Sequence, residues 1–194
     1  MQTGRSDNRS MAASPLWESI QLTHDRDEDD ILKLLHSIPV FESIPDRGLK
    51  LIRSLCHIRY YKEDEHVFRT GEPGVGMYII LEGNVEIYRN EGDSRREYAM
   101  LESGDFLGEL ALLEDMPRSA SARATSYSRL LGFFRPDLTS LISRKPRLAN
   151  IVLMNIARLL GRRLIRTNEQ LEMLISAPIG TPGTSVSLQS IDPD

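Results

Sequence analysis

Residues 106–122 read Phe106-Leu-Gly-Glu-Leu-Ala-Leu-Leu-Glu-Asp-Met-Pro-Arg-Ser-Ala-Ser-Ala122 and are the most informative segment of the chain. They place one carboxylate, Glu109, and one guanidinium, Arg118, on either side of a short apolar run. Gly108 lets the backbone approach a ligand, and the residues after it can form a helical turn whose amide N–H groups attract an anion. The planar fork of Arg118 suits phosphate oxygens, whereas the carboxylate of Glu109 repels phosphate and suits hydroxyls. A ligand with one phosphate and one ribose hydroxyl satisfies both residues.

This segment resembles the phosphate-binding cassette of the cyclic-nucleotide-binding domain family. The family's cassette has Gly-Glu-Leu, a short apolar helix, and then an arginine followed by small residues; the corresponding residues are Gly108-Glu109-Leu110 and Arg118-Ser119-Ala120. In that family the glutamate binds the ribose 2′-hydroxyl and the arginine binds the cyclic phosphate. The resemblance therefore implies these roles for Glu109 and Arg118. Two other roles for Glu109 stay open, a solvated helix residue or a partner that only neutralises Arg118.

A second segment upstream reads Gly71-Glu-Pro-Gly-Val-Gly-Met-Tyr-Ile-Ile-Leu-Glu-Gly-Asn-Val-Glu-Ile-Tyr88 and resembles the glycine-bracketed hairpin of the same family. Gly83 and Asn84 tolerate positive φ, as a tight hairpin turn requires. The two segments follow each other in the family's order, and the resemblance extends from about Ile31 to about Ile175.

From Ile58 to Phe134, short β-rich runs alternate with glycine turns, a pattern typical of a barrel or roll. Residues 91–96 are interpreted as a longer solvated loop. Apolar residues at helical spacing precede the strands, over residues 31–38 and 45–55, and follow them, from Pro136 to Ser143 and from Pro146 to about Ile175. The sequence predicts an α+β fold: an antiparallel, jelly-roll-like β-roll flanked by N-terminal helices and a long C-terminal dimerisation helix.

The chain has 194 residues, 40% of them hydrophobic, which is enough for the core of one domain with tails. Residues 1–24 are polar without a lasting period and predict a flexible N-terminal arm. Residues 25–176 form the predicted cyclic-nucleotide-binding domain with its C-terminal helix. Residues 177–194 are rich in proline, glycine and serine and predict a disordered tail.

The long C-terminal helix carries a seam in steps of four and three residues: Leu153, Ala157, Leu160, Leu164, Thr167, Leu171 and Leu174. This spacing is typical of a coiled coil and predicts a homodimer. The alternative is a helix packed against its own domain, although such a stripe is usually wider. Gly161 lies within the helix, where glycine costs about 1 kcal/mol relative to alanine. A hinge and close helix packing both explain it.

The base of the ligand is the least determined part of the prediction. Thr167 breaks the seam, and a polar residue there often fixes only register or oligomeric state. The resemblance to the dimer helix of the family's transcription regulators implies instead that Thr167 and Asn168 contact adenine. Ser119 is open to three interpretations: a phosphate contact, a guanine contact, or a plain strand residue. On balance these residues favour cyclic AMP over cyclic GMP.

The candidate ligand-binding residues are Gly108, Glu109, Leu110, Ala111, Arg118, Ser119, Ala120, Thr167 and Asn168.

A metal enzyme is disfavoured, because only His57 and His66 fall in the predicted roll and they do not form a metal-ligand pattern. The sequence also lacks a Ser-His-Asp set at motif spacing, a P-loop and a Cys-x-x-Cys motif. We therefore expect ligand binding without turnover, with no catalytic residue, metal or cofactor. The single cysteine, Cys56, lies in a periodic apolar segment and predicts a buried thiol.

A net charge of −4 gives no overall attraction to nucleic acid or anionic lipid. The sequence contains neither a signal peptide nor an apolar run of about 18 residues, so we expect a cytoplasmic protein without membrane contact. Arginines and lysines between residues 144 and 166 are interpreted as a solvated basic face, with nucleic acid as the alternative. Only about 19 residues follow the long helix, too few for a helix-turn-helix, and we expect no direct DNA binding.

These observations predict a cyclic-nucleotide sensor that changes its helix packing on binding and acts on an unknown downstream protein. Two other hypotheses stay open. One is a structural dimer whose pocket binds no ligand. The other is a transcription-regulator-like protein that acts through the DNA-binding module of a partner.

Overall fold

A computed structural model describes residues 27–91 and 94–176. The predicted arm over residues 1–24 and the predicted tail over residues 177–194 lie outside these ranges. Two four-stranded antiparallel sheets, flanked by helices on both chain ends, form the described domain. The α+β roll predicted from the sequence is therefore confirmed. Within the same ranges, no helix combines the length and apolar character needed to cross a membrane.

The helices and strands are as follows. Helix α1 is described over residues 27–37 and is followed by a 3₁₀ turn at Pro39–Phe41 and by α2 at Asp46–Leu55. The strands are β1 His57–Tyr61, β2 His66–Phe68, β3 Gly76–Glu82, β4 Val85–Glu91, β5 Ser94–Leu101, β6 Phe106–Leu107, β7 Ser121–Ala124 and β8 Ser128–Phe134. The remaining helices are α3 Leu110–Leu113, α4 Arg135–Arg144 and α5 Pro146–Ser176. The strand order is β1-β8-β3-β6 in one sheet and β2-β7-β4-β5 in the other.

The strands differ from the sequence prediction at two places. The predicted loop over residues 91–96 is wrong, because β5 begins at Ser94 and its Arg95 pairs with Asn90 of β4. The guanidinium of Arg95 lies 3.7 Å from the ring centroid of Tyr88 and pairs with the buried carboxylate of Glu86. These cross-strand contacts stabilise the polar first half of β5, residues 94–97, which precedes its strand-like run from Tyr98 to Leu101. Strand β6 was not predicted, since two residues give no periodic signal.

The main core lies between the β1-β8-β3-β6 sheet and the helices. Side chains from the N-terminal helices, the sheet and the C-terminal helices meet there. Among them are Phe41 and Phe133, whose rings contact edge to face at a centroid distance of 6.1 Å. Cys56 belongs to this core with 7% of its surface exposed, and burial raises the pKa of its thiol to about 12. The prediction of a buried thiol is confirmed.

Helix α5 is divided into two halves. Its first half packs on the domain through Val152 and Ile156, and the amide of Asn155 donates to the carbonyls of Val40 and Glu42 at 3.3 and 2.8 Å. Every residue from Gly161 to Ser176 is exposed. The two sequence interpretations therefore apply to different halves: the first packs against its own domain, and the second leaves the seam uncovered in the single chain.

Gly161 stands at this boundary. A Cβ atom added there meets no atom within 4 Å among the described residues outside its chain neighbours and its own helix backbone. Close packing within the described chain therefore does not account for this glycine, and both a hinge and packing against a second chain stay predictions.

We predict that Gly76→Ala lowers the free energy of unfolding by about 1–3 kcal/mol, the usual cost of overpacking. Its Cβ would lie 2.6 Å from the Cα atom of Phe134 in the paired strand, and backbone cannot move aside cheaply. The matched control is Gly161→Ala, which meets open space and should raise stability by up to about 1 kcal/mol through helix propensity. Urea unfolding measures both, and equal effects would contradict the packing argument.

Candidate functional site

The predicted cassette begins where β6 turns into α3. Gly108 makes this turn with φ of +79°, in the left-handed region that favours glycine. A Cβ at Gly108 would overlap Nη1 of Arg118 and lie 3.2 Å from its Cζ. Glycine is thus required here for two reasons, the backbone conformation and the space taken by the arginine side chain.

The Arg118 guanidinium is fixed on three sides. Its Nη2 donates to the Gly76 carbonyl at 2.7 Å, and its Nη1 donates to the Gly108 carbonyl at 3.2 Å. Its Cζ lies 4.1 Å from the ring centroid of Phe68, a cation–π distance. Only 7% of the residue is exposed, and burial lowers the pKa of the guanidinium, partly opposed by Tyr78 and Glu109. Arginine keeps its charge under such a shift.

The charge of the Arg118 guanidinium is not balanced by an ion pair among the described residues. Among the described residues, no carboxylate lies within ion-pair distance of it, and its buried Nε has no hydrogen-bond acceptor. Carbonyl oxygens and an aromatic ring stabilise the cation only in part, since a buried charge is costly unless it is paired. The geometry therefore suits a buried anion that binds beside Arg118.

The glycine-rich segment before β3 holds the backbone of the same arginine. Gly71 N–H donates to the Arg118 carbonyl, and Arg118 N–H donates to the Glu72 carbonyl, both at 2.8 Å. Gly74 N–H donates to the Met116 carbonyl at 3.1 Å. The glycine-rich segment upstream and the cassette are thus hydrogen-bonded to each other through their backbones.

Glu109 directly precedes α3, where its side chain makes no capping hydrogen bond, and it is only 3% exposed. Its carboxylate forms an ion pair with Nη1 of Arg163, which reaches in from α5. The Cζ of Arg163 lies 5.9 Å from the ring centroid of Phe106 in β6. The charge partner of Glu109 in the described chain is therefore Arg163, and its interpretation as a residue that only neutralises Arg118 does not fit this geometry.

Sequence reasoning missed Arg163 as a site residue and counted it in the solvated basic face. The available signal was its position one helical turn before Thr167, on the same face of the helix. Its side chain is half exposed, and its head group reaches a buried carboxylate.

The other predicted residues divide between the cassette and α5. Leu110 and Ser119 are exposed, Ala120 is half-buried, and Ala111 is buried. Thr167 and Asn168 are exposed on the second half of α5, and the Thr167 hydroxyl donates to the Arg163 carbonyl at 2.9 Å. The Glu109–Arg163 pair is the point where the two groups of residues meet.

Arg135, the first residue of α4, was also missed. Its Nε donates to the Ala111 carbonyl at 2.9 Å, and its Nη2 donates to the carbonyls of Gly74 and Glu114 at 2.6 and 2.8 Å. Its Nη1 lies 3.2 Å from a carboxylate oxygen of Asp115. No local sequence pattern around Arg135 indicates these contacts, because every residue that its side chain contacts lies at least 20 positions earlier in the chain.

Comparison with known proteins finds similarity over most of the described domain. Residues 58–145 match the family model for the cyclic nucleotide-binding domain. The chain is 34% identical to the cyclic AMP receptor protein of Thermus thermophilus, over 70% of this chain and 62% of that protein. It is 30% identical to the cGMP-dependent protein kinase of Plasmodium berghei, over 68% of this chain and 14% of the kinase.

Among solved structures, the Thermus thermophilus catabolite activator protein has a TM-score of 0.64 and 34% identity, covering 70% of this chain and 62% of that chain. The chain thus spans less than two thirds of the length of each of these relatives.

Proposed function

Residues 58–145 belong to the cyclic nucleotide-binding domain family, and from this premise we propose that the protein is a cyclic-nucleotide sensor whose helix packing changes on binding. The observation that supports this most directly is the buried Arg118 guanidinium, which has no carboxylate partner among the described residues. A structural dimer with an unused pocket gives no reason to bury such a charge, whereas a phosphate ligand does.

In this proposal Arg118 binds the cyclic phosphate and Glu109 accepts a hydrogen bond from the ribose 2′-hydroxyl. Phosphate also gains from backbone N–H groups where β6 turns into α3, ahead of the Ala111 and Leu112 amides, which already donate to the Gly108 and Glu109 carbonyls. Leu110, Ala111, Ser119 and Ala120 flank these two charged residues and line the proposed site. No group in the proposal breaks or forms a covalent bond, so the proposed activity is binding.

We propose cyclic AMP rather than cyclic GMP as the ligand. Thr167 and Asn168 lie on α5 just beyond Arg163, so closure of this helix over the cassette would bring acceptor oxygens to an adenine amino group. Ser119, next to Arg118, would favour guanine instead. One relative is named for cyclic AMP and another for cyclic GMP, so the comparisons are compatible with either ligand.

The Glu109–Arg163 pair offers a mechanism for the change in helix packing. A ribose hydroxyl and Arg163 both need the Glu109 carboxylate, so binding alters the contact that holds the second half of α5. Gly161 lies two residues before Arg163 and is the proposed hinge, because helix packing changes there from buried to exposed. A ligand shifts such an equilibrium only by its difference in affinity for the two states.

We further propose a homodimer through the exposed half of α5. Leu164, Leu171 and Leu174 are each more than half exposed in the single chain, and exposed apolar stripes of this kind usually mark an interface. The output of the sensor would pass to a downstream protein, with no direct DNA contact by the described domain.

We predict that Arg118→Ala weakens cyclic AMP and cyclic GMP binding at least about tenfold, since a hydrogen bond to a charged group contributes about 1.5–3 kcal/mol. Calorimetric titration measures the affinities. Arg89→Ala, at an exposed arginine of β4, is the matched control and should bind like the wild type. Wild-type affinity in Arg118→Ala would refute the proposed site. Its unfolding free energy is measured in parallel to separate binding from stability.

The role of Glu109 is tested with a 2′-deoxy analogue. Glu109→Gln should weaken cyclic AMP by about tenfold or less, the value of one charge-assisted hydrogen bond, and leave the affinity for 2′-deoxy cyclic AMP within about twofold. Arg163→Ala removes the competitor for the same carboxylate, so it should strengthen cyclic AMP binding and leave the affinity for the 2′-deoxy analogue within about twofold. Equal losses for both ligands in Glu109→Gln would remove Glu109 from the ribose role.

The proposed dimer predicts that Leu164→Asp with Leu171→Asp gives a monomer, because the interface would bury four unpaired charges. These positions are chosen because Leu160 also packs on its own domain. Arg162→Asp with Arg166→Asp, on the opposite face of α5, should stay dimeric. Light scattering gives the mass, and a wild type with the mass of one chain at tens of micromolar would contradict the interface.

A further inference from the structure

Arg135 connects the first turn of α4 to α3 in the cassette. Its backbone begins α4 and its N–H donates to the Val75 carbonyl at 2.9 Å, while its side chain contacts the far end of α3. The carbonyls of Ala111 and Glu114 that it binds belong to the last turn of α3 and the residue after it. A single side chain therefore spans the join between the cassette and the C-terminal helices.

The chemistry of this contact requires arginine. A helix leaves its last carbonyls without intrahelical donors, and α3 has only four residues. A guanidinium offers five N–H donors in a fixed plane, enough to reach the carbonyls of Gly74, Ala111 and Glu114 together, whereas a lysine ammonium offers a point charge on a flexible stem.

The ion pair with Asp115 contributes less to this link. Asp115 is 82% exposed, and exposed ion pairs contribute little because water and salt screen them. The side chain of Arg135 is itself largely buried at 29% exposure. The link therefore depends on the carbonyls rather than on the carboxylate.

The other side of the link is rigid. The Asp137 carboxylate accepts from the Phe134 N–H at 2.9 Å and caps the start of α4, and Leu138 and Leu141 are buried in the main core. Arg135 consequently extends from a fixed first turn, and its three carbonyl contacts hold α3 against α4.

Building on the proposed function, we propose that Arg135 is the positioning residue that fixes α3 to the first turn of α4, so that the cassette is held in its binding shape and the two helices move as one body. This role places Arg135 outside the ligand contacts. It acts through the backbone of α3, which directly follows Glu109 and the turn whose amides would meet the phosphate.

Hydrogen exchange in the nucleotide-free protein tests the link without any ligand. Arg135→Lys should accelerate exchange in residues 108–118 at least about tenfold, because the tethered turn opens more often. Asp115→Asn and Arg144→Lys are the controls, the first removing only the ion pair and the second changing an exposed arginine at the other end of α4. Wild-type exchange in Arg135→Lys, or an equal effect in Asp115→Asn, would overturn the proposal.

A distance measurement gives a result that does not depend on the folding of an arginine variant. Spin labels at Leu113→Cys in α3 and Ile142→Cys in α4 occupy exposed positions, and the buried Cys56 thiol should not compete for the label. Saturating cyclic AMP should leave the distance between labels unchanged within about 2 Å, the scale that separates local from domain rearrangement. A larger shift in the otherwise wild-type chain would show that the helices move separately and overturn the proposal.

Titration with cyclic AMP then separates this inference from the proposed function. Arg135→Lys should bind at least about fivefold more weakly, while both control variants bind like the wild type. Unchanged affinity in Arg135→Lys, with a binding wild type, would overturn the positioning role. A wild type that binds neither cyclic AMP nor cyclic GMP would refute the proposed function, and the hydrogen-exchange result alone would then decide whether Arg135 holds α3.

Discussion

The burial of the Arg118 guanidinium is the constraint on which the rest of the site depends. A cation removed from water needs partners on every side, and here the carbonyls of Gly76 and Gly108 and the ring of Phe68 supply them. The Arg118 side chain takes the space that a Cβ atom would need at Gly108, whereas at Gly76 the paired backbone of Phe133 and Phe134 excludes a side chain. The glycine at position 108, the pairing of the segment before β3 with the cassette, and the turn into α3 all help to hold this one buried charge.

Helix α3 is held at both ends by arginines that come from different helices. Arg163 of α5 pairs with the Glu109 carboxylate at its N-terminus, and Arg135 of α4 binds the carbonyls at its C-terminus. The two attachments differ chemically. A ligand hydroxyl competes for a carboxylate, whereas backbone carbonyls turned toward Arg135 are not available to the proposed ligand. In the proposed function, α3 therefore keeps one attachment and exchanges the other.

The sequence was sufficient for the β-roll and for the cassette pair, because short strands and glycine turns leave local signals that need no knowledge of distant residues. It was insufficient for the first part of β5, residues 94–96, which is stabilised by cross-strand contacts with β4. The contacts of Arg163 and Arg135 were missed for a related reason. Glu109 lies 54 residues before Arg163, and Gly74 lies 61 residues before Arg135, and no periodic pattern indicates a contact over such a separation. The division of α5 at Gly161 likewise depends on where the domain surface ends, which the heptad spacing does not contain.

The exposed half of α5 has a consequence for how a sensor of this design would respond to its surroundings. In the proposed function, the same helix carries Arg163, which would compete with the ligand, and the exposed leucines of the proposed dimer interface. Association of two chains and release of Arg163 would then be thermodynamically linked, and linkage acts in both directions. The nucleotide concentration at which the sensor is half saturated would become a function of how much of the protein is present, so its abundance would tune its sensitivity.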